Sequence, residues 1–162
     1  MIIHVKNKNT LIIDDFKMKC SIGKRGLNSN KNEGDYSTPS GLYNLKKLYF
    51  RKDRVGIPKC KLDIKIIKKG YAWCDDPRDK RYNEEIQVKT QNSKENLYRV
   101  DHKYDYIIST SHNHKKIPNK GSAIFIHLTN NYKPTAGCVA LKKKDFEILL
   151  KLIDKRTKIK IS

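Results

Sequence analysis

The sequence predicts a mainly-β domain with one helix near its C-terminus. Short apolar segments separated by polar turns dominate the first three quarters of the chain, as is typical of strands joined by hairpins and loops. Only residues 142–152 place apolar side chains at helical spacing, with Phe146, Leu149 and Leu150 on one face. Since the chain contains neither an internal repeat nor a linker, we expect residues 1–162 to form a single domain.

The individual elements follow from the apolar pattern in chain order. Strands are predicted at residues 2–5, 11–13, 16–22, 42–50, 63–69, 104–109, 123–128 and 155–162. The segment at 23–34 is rich in Gly and Asn and predicts a loop, and residues 7–9 predict a turn. Residues 72–83 surround the single Trp and are polar and irregular, which indicates another loop.

The charge balance is strongly basic, with 36 Lys and Arg against 17 Asp and Glu and a formal net charge of +19. Such a charge attracts polyanions. However, the basic residues are spread along the whole chain, and no zinc finger, aromatic RNA-binding strand or helix-turn-helix pattern accompanies them. The distribution therefore argues against nucleic acid as the partner.

Localisation depends on how the chain begins. No stretch approaches the roughly 20 apolar residues that span a bilayer, so no membrane span is predicted. The N-terminus, MIIHVK, lacks the regions of a signal peptide. We expect a cytoplasmic protein if Met1 is the native start, and a periplasmic or cell-wall protein if a signal peptide has been removed.

The four cysteines are widely separated, at positions 20, 60, 74 and 138. They form no CxxC pair, so the sequence predicts no metal site. Two disulfides remain possible in an oxidising compartment. In the alternative that we favour, three cysteines are small apolar core residues and one is reactive.

Cys138 and His127 form a candidate catalytic pair. His127 ends an apolar strand, and Cys138 follows 11 positions later, after the small residues of 135–137. An imidazole can lower the pKa of a nearby thiol and hold its proton, which activates the thiol as a nucleophile. Gly137 allows a close approach of backbone, so that neighbouring amides can bind an oxyanion. On these residues alone, a buried Cys and a structural His explain the pattern as well.

The surrounding residues resemble a known active-site signature. The stretch HLTNNYKPTAGCVALKKKD is similar to that of the YkuD-type L,D-transpeptidases: a His, then Ser/Thr-x-Gly-Cys-Val/Ile, then an Asp. The residues that fit after the His are Thr135, Gly137, Cys138, Val139 and Asp145. About a hundred residues upstream, EGDYSTPSG at 33–41 resembles the family's Gly-Asp-x-x-Thr-Pro-x-Gly turn. Two motifs in the right order make coincidence improbable.

Further similarities point to a compact branch of that family. The branch carries a Trp-Cys-Asp-Asp-Pro loop, matched here at 73–77, and a Tyr-Asn pair, matched by Tyr82 and Asn83. It also has Gly-Ser-Ala-Ile-Phe before the His, matched at 121–125. The resemblance implies an L,D-transpeptidase-like β-sandwich whose C-terminal helix packs beside the active site.

The resemblance implies acyl transfer on peptidoglycan stem peptides or muropeptides. Cys138 would form a thioester as the terminal D-Ala departs, and His127 would act as the base, oriented by a backbone carbonyl. An amine acceptor gives an L,D-transpeptidase, and water gives an L,D-carboxypeptidase that trims muropeptides. No metal or organic cofactor is implied. A basic nucleic-acid-binding or wall-binding module without catalysis is the more distant alternative.

Two positions depart from the family pattern. Many members have His or Lys where this chain has Ala136, and an Arg that is thought to bind a substrate carboxylate where it has Ala140. Another cation must then bind that carboxylate, and Arg51, Arg54 and Arg78 are the candidates, because a guanidinium grips a carboxylate with two bonds.

Other residues are candidates for lining the substrate cleft. Thr135 belongs to the cysteine motif, His112 and Asn113 lie in a loop before the His127 strand, and Trp73 is a candidate cleft wall. Each also has an ordinary structural interpretation, as a turn residue or, for Trp73, as a filler of the core.

Overall fold

The structure is a computed structural model that describes residues 1–7, 9–89 and 94–162; part of the predicted 7–9 turn lies outside them. Its elements in chain order are β1 (Ile2–Lys6), β2 (Thr10–Ile13), β3 (Phe16–Ser21), β4 (Leu27–Asn28), β5 (Thr38–Pro39), β6 (Gly41–Phe50), α1 (Lys52–Val55), β7 (Asp63–Ile66), β8 (Tyr71–Trp73), β9 (Glu85–Gln87), β10 (Glu95–Asn96), β11 (Tyr106–Thr110), β12 (Phe125–Leu128), β13 (Val139–Leu141), α2 (Lys143–Leu152) and β14 (Lys158–Ile161). The mainly-β prediction with one C-terminal helix is confirmed.

The long strand β6 joins two sheets. Its first half pairs with β14, with Tyr43 opposite Ile159, and its second half pairs with β11, with Tyr49 opposite Ile107. One sheet therefore runs β3-β2-β1-β14-β6, and the other runs β13-β12-β11-β6-β7. Because β13 also pairs with β3, the ladder of strands returns on itself.

The main hydrophobic core lies between the inner faces of these sheets and includes helix α2. Phe146 is fully buried and stacks on Tyr106 of β11, with ring centroids 5.3 Å apart. Leu149 and Leu150 bury the same helix face, as the apolar spacing predicted. Among the described residues, no helix is long and apolar enough to cross a membrane.

A second hydrophobic cluster covers the opposite face of β11 and β12. Because successive strand residues point to opposite faces, Ile126 and Ile108 enter the main core, whereas Phe125 and Ile107 enter the second cluster. This explains why every residue of β12 is buried. His127 points to the same face of β12 as Phe125, which is opposite to the face that contacts the main core and helix α2. The helix therefore packs behind the sheet that carries His127 and does not form a wall around the His127 side chain.

The region 71–96 differs most from the sequence prediction. Residues 72–83 were expected to form an irregular loop, but Tyr71–Trp73 is the central strand of a small sheet, β10-β8-β9. Trp73 pairs with Glu85 on one side and with Glu95 on the other. These strands have two or three residues each, which is too short for a recognisable alternation of apolar and polar side chains.

Candidate active site

Cys138 and His127 come together because β12 and β13 are parallel neighbours. Ile126 pairs with Val139 and His127 with Ala140, so Cys138 lies directly before β13, beside the start of β12. Both side chains line one cavity of about 390 Å³. The sequence separation of 11 residues is thus a crossover from the end of one strand to the start of its neighbour.

The Cys138 sulfur lies between a backbone acceptor and a backbone donor. Its thiol donates to the Ala123 carbonyl at 3.1 Å, and the sulfur accepts the Phe125 N–H at 3.4 Å. Burial raises the pKa of the Cys138 thiol to about 12. A hydrogen bond from the neutral thiol to a carbonyl also favours the protonated form, so Cys138 rests as a thiol.

The His127 ring is oriented by a backbone carbonyl. Nδ1 lies 2.8 Å from the Leu128 oxygen, and since a carbonyl only accepts, Nδ1 carries the proton and the Nε2 lone pair is left to act as a base. The Tyr104 ring packs edge-to-face against the imidazole, with ring centroids 5.2 Å apart. Burial lowers the pKa of His127 to about 4, so the imidazole is neutral near pH 7.

Thr135 and Gly137 shape the backbone before the nucleophile. The Thr135 hydroxyl donates to the Cys138 carbonyl at 2.6 Å and accepts the Gly137 N–H at 3.1 Å. Thr135 therefore closes the turn, and in this conformation the Gly137 amide is not free to bind an oxyanion.

The two sequence motifs meet at Gly137. Its φ of +152° and the space around it favour Gly, because an added Cβ would lie 2.8 Å from the Ser37 carbonyl oxygen. Ser37 belongs to the 33–41 turn, whose Asp35 accepts hydrogen bonds from Lys31 and from the Ser37 N–H. The upstream motif therefore supports the backbone directly before Cys138.

The arginines proposed to bind a substrate carboxylate do not line the cavity. Arg51 pairs with Asp53 and lies over the Tyr98 ring, while Arg54 pairs with Asp105 at 3.0 Å. The third arginine, Arg78, pairs with Asp76, its neighbour but one, and is 90% exposed. Each guanidinium pairs with a carboxylate outside this cavity, so the structure does not bring any of the three beside Cys138.

His112, Asn113 and Trp73 likewise lie outside the cavity. The His112 ring packs against Tyr43 and its Nε2 bonds the Lys120 carbonyl at 3.0 Å. Asn113 donates its side-chain amide to the carbonyls of Ile117 and Gly121, so both residues fix their own loop. Trp73 packs edge-on against Phe125 at 5.0 Å. It therefore supports the sheet from the second cluster and is not a cleft wall.

Sequence reasoning missed most of the charged residues that do line the cavity, although Asp75 lies in the 73–77 loop that the family resemblance had singled out. The charged lining residues are Lys31, Glu33, Asp75, Glu95, Arg99, Lys103 and Lys133. Lys31 pairs with Asp35 and Arg99 with Asp101, but Lys103 and Lys133 form no ion pair within the described residues. The position of Lys133 between His127 and Cys138 was the available signal, since that crossover has to border the site.

All four cysteines are free thiols, so neither of the two disulfides left open by the sequence is present. Cys20 and Cys74 are buried, and burial raises the pKa of both. No group of three or more His, Cys, Asp or Glu side chains within residues 1–7, 9–89 and 94–162 is arranged to hold a metal ion.

The comparison with protein families identifies the chain. Residues 2–161 match the family model YkuD, the L,D-transpeptidase catalytic domain. The chain belongs to this family. Because the match covers the turn at 33–41 together with the Thr-x-Gly-Cys element, the family resemblance predicted from those motifs is confirmed.

Solved structures of similar fold include two bacterial proteins. The helical cell shape determining protein Pgp2 from Campylobacter jejuni has a TM-score of 0.53 at 17% identity, and 99% of this chain covers 46% of that chain. Bd1075 from Bdellovibrio bacteriovorus has a TM-score of 0.53 at 18% identity, with 99% and 47% coverage. The YkuD chain thus spans about half the length of these proteins. A search of curated proteins found no match.

Proposed function

We propose that the protein is a cysteine-type L,D-transpeptidase that acts on peptidoglycan stem peptides through a Cys138 thioester. The observation that supports it best is the geometry of the pair: the thiol and the imidazole line one cavity, and the Leu128 carbonyl accepts the Nδ1 proton of His127, which leaves Nε2 unprotonated as the base. The membership of the YkuD family supplies the substrate class.

The proposed first step begins from a neutral thiol and a neutral imidazole. As the sulfur attacks the carbonyl of the stem residue at position three, His127 Nε2 takes the thiol proton and an S–C bond forms. The tetrahedral intermediate collapses by breaking the C–N bond to the terminal D-Ala. The proton on His127 then passes to the departing amine, which leaves a thioester on Cys138.

In the second step, an acceptor resolves the thioester. His127 removes a proton from an amine of another stem, or from water, and the attack breaks the S–C bond and returns the proton to sulfur. An amine gives a cross-link, whereas water gives a trimmed tripeptide. Cross-linking requires a location where assembled wall is present, whereas a cytoplasmic enzyme meets free muropeptides.

We further propose that Lys103 and Lys133 bind a carboxylate of the stem peptide. They are the cavity cations that form no ion pair among the described residues, and they border the same space as Cys138. They would replace the Arg that many family members carry at the position of Ala140, whose side chain is buried in this chain.

Incubation of the purified protein with disaccharide tetrapeptide tests the proposal. Dimers or exchanged D-amino acids indicate transfer, and tripeptide alone indicates an L,D-carboxypeptidase. Intact-mass analysis should show a covalent adduct that the Cys138→Ala variant lacks, and this variant should retain the wild-type melting profile. Full activity of Cys138→Ala would contradict the proposal. Binding of cell wall or nucleic acid without any turnover of tetrapeptide would contradict it as well.

A further inference from the structure

Ala123 connects the nucleophile to a loop far from it in sequence. Its carbonyl accepts the Cys138 thiol at 3.1 Å, and its own N–H donates to Asn83 Oδ1 at 3.1 Å. With φ +52°, Ala123 has a left-handed backbone that non-glycine residues adopt only when their surroundings hold them there. The direction of the carbonyl that faces the sulfur therefore depends on what fixes the Ala123 amide.

Asn83 fixes that amide with a side chain whose oxygen and nitrogen each make two hydrogen bonds. Its Oδ1 also accepts the Trp73 Nε1–H at 2.9 Å, and its Nδ2 donates to the carbonyls of His112 and Asn113, each at 3.0 Å. Two acceptor and two donor bonds hold the plane of the amide group. Only a group with an acceptor and two donors at this distance from the backbone makes all four.

The residues on either side of this contact are tied down as well. Tyr82, which precedes Asn83, is buried and donates its hydroxyl to Glu33, and Ser122, which precedes Ala123, donates to the same carboxylate oxygen. The 82–83 and 122–123 segments are therefore joined twice, at consecutive positions. The joint lies directly before β12, the strand that carries His127.

We infer that Asn83 is a positioning residue that holds the Ala123 carbonyl against the thiol of the nucleophile, Cys138. The carbonyl keeps the sulfur in place in its protonated form, because an oxygen at 3.1 Å stabilises S–H and repels a thiolate. The thiol thus loses its proton only when it turns from Ala123 towards His127. The turnover arm of the test rests on the proposed function, whereas the thiol-reactivity arm does not.

Asn83→Ala should separate two properties of the thiol. Without the anchor, the thiol loses its acceptor, and alkylation of Cys138 by iodoacetamide at about pH 8 should become about tenfold faster, which corresponds to one pKa unit. Turnover of tetrapeptide should fall by about tenfold or more in kcat, because the sulfur is no longer held, while KM stays within about twofold. Peptide mass spectrometry follows Cys138 apart from the other three cysteines.

Thr110→Val is the matched control. The Thr110 hydroxyl donates to the carbonyl of Ile124 at 2.8 Å, one residue beyond Ala123, and accepts the His112 N–H at 3.4 Å. The variant therefore loses these two bonds around the same segment but leaves every hydrogen-bonding atom of Asn83 and its partners in place. It should leave both readouts within about twofold of the wild type. Asn83→Gln keeps an amide but displaces it by one methylene, and it should change both readouts in the same direction as Asn83→Ala. It serves as the test variant if Asn83→Ala does not fold.

Two outcomes overturn the inference. One is a folded Asn83→Ala or Asn83→Gln protein whose Cys138 alkylation is unchanged. The other is an equal change in Thr110→Val, which would indicate general loosening of the segment. If the wild-type protein turns over no stem peptide, the proposed function fails, and the alkylation comparison still decides the role of Asn83.

Discussion

The pH dependence of Cys138 reactivity is the sharpest consequence of the site geometry. Burial raises the pKa of the thiol from 9.0 to about 12 and lowers that of His127 from 6.5 to about 4. For the thiol, the three pKa units between 9.0 and about 12 mean about a thousandfold less thiolate at pH 7 than an ordinary exposed thiol has. Because the imidazole is uncharged above about pH 4, it does not stabilise a thiolate as an ion pair.

The assay is alkylation of the free enzyme by iodoacetamide from about pH 5 to pH 10, with Cys138 modification measured by peptide mass spectrometry. Only the thiolate reacts, so the rate should rise about tenfold per pH unit across this whole range, without a plateau. Cys60 provides an internal comparison, since burial raises the pKa of its thiol as well, but it does not line the cavity that contains His127.

His127→Ala completes the test. If the resting pair is neutral, removal of the imidazole should leave the alkylation rate within a few-fold of the wild type, whereas turnover should fall by about 10²–10⁴-fold, as for the loss of a general base. A plateau of alkylation between about pH 5 and pH 8 that disappears in His127→Ala would show a preformed thiolate–imidazolium pair and refute the reasoning.

Three further predictions concern the backbone, the substrate and the core. Gly137→Ala places a Cβ 2.8 Å from the Ser37 carbonyl oxygen and should destabilise the protein by about 1–3 kcal/mol and reduce turnover, as measured by denaturant unfolding and tetrapeptide assay. Lys103→Ala and Lys133→Ala should raise KM about tenfold or more with little change in kcat, the pattern expected when a ground-state carboxylate contact is lost; an unchanged KM would exclude this role. Phe146→Ala should cost about 3–5 kcal/mol of stability because Phe146 is fully buried, yet leave Cys138 alkylation unchanged below the melting range, since the helix lies behind the sheet.

The sequence predicted β11 and β12 well because both are continuous apolar runs, and it predicted α2 because its apolar residues recur at helical spacing. The apolar runs at 104–109 and 123–128 correspond to β11 and β12, with shifted first residues, and the helix begins one residue later than predicted. The three strands of the small sheet were missed because none is longer than three residues, and their stability comes from tertiary contacts such as Trp73 on Phe125.

The positions of the candidate site that belong to the two motifs could be predicted from the sequence. The single charged residues that line the cavity could not. Cys138, His127 and Gly137 were predicted because two motifs resemble the YkuD signature, and the structure places all three along one cavity. Arg51 and Arg78 lie away from the cavity, and each pairs with an Asp two residues away in sequence, a local partner that the sequence already offered. The pairing of Arg54 with Asp105 spans 51 residues and depends on the fold.

The resting state of the pair bears on how the enzyme selects its substrate. Neither the thiolate nor the imidazolium is favoured before substrate binds, because burial opposes both charges. Proton transfer and attack on the carbonyl therefore have to coincide, and they require a substrate held within reach of sulfur while Nε2 accepts the proton. A small electrophile that diffuses into the cavity meets a neutral thiol bonded to Ala123 and reacts slowly. In the proposed reaction, burial of the pair thus favours acyl transfer from a bound peptide over adventitious modification of the cysteine.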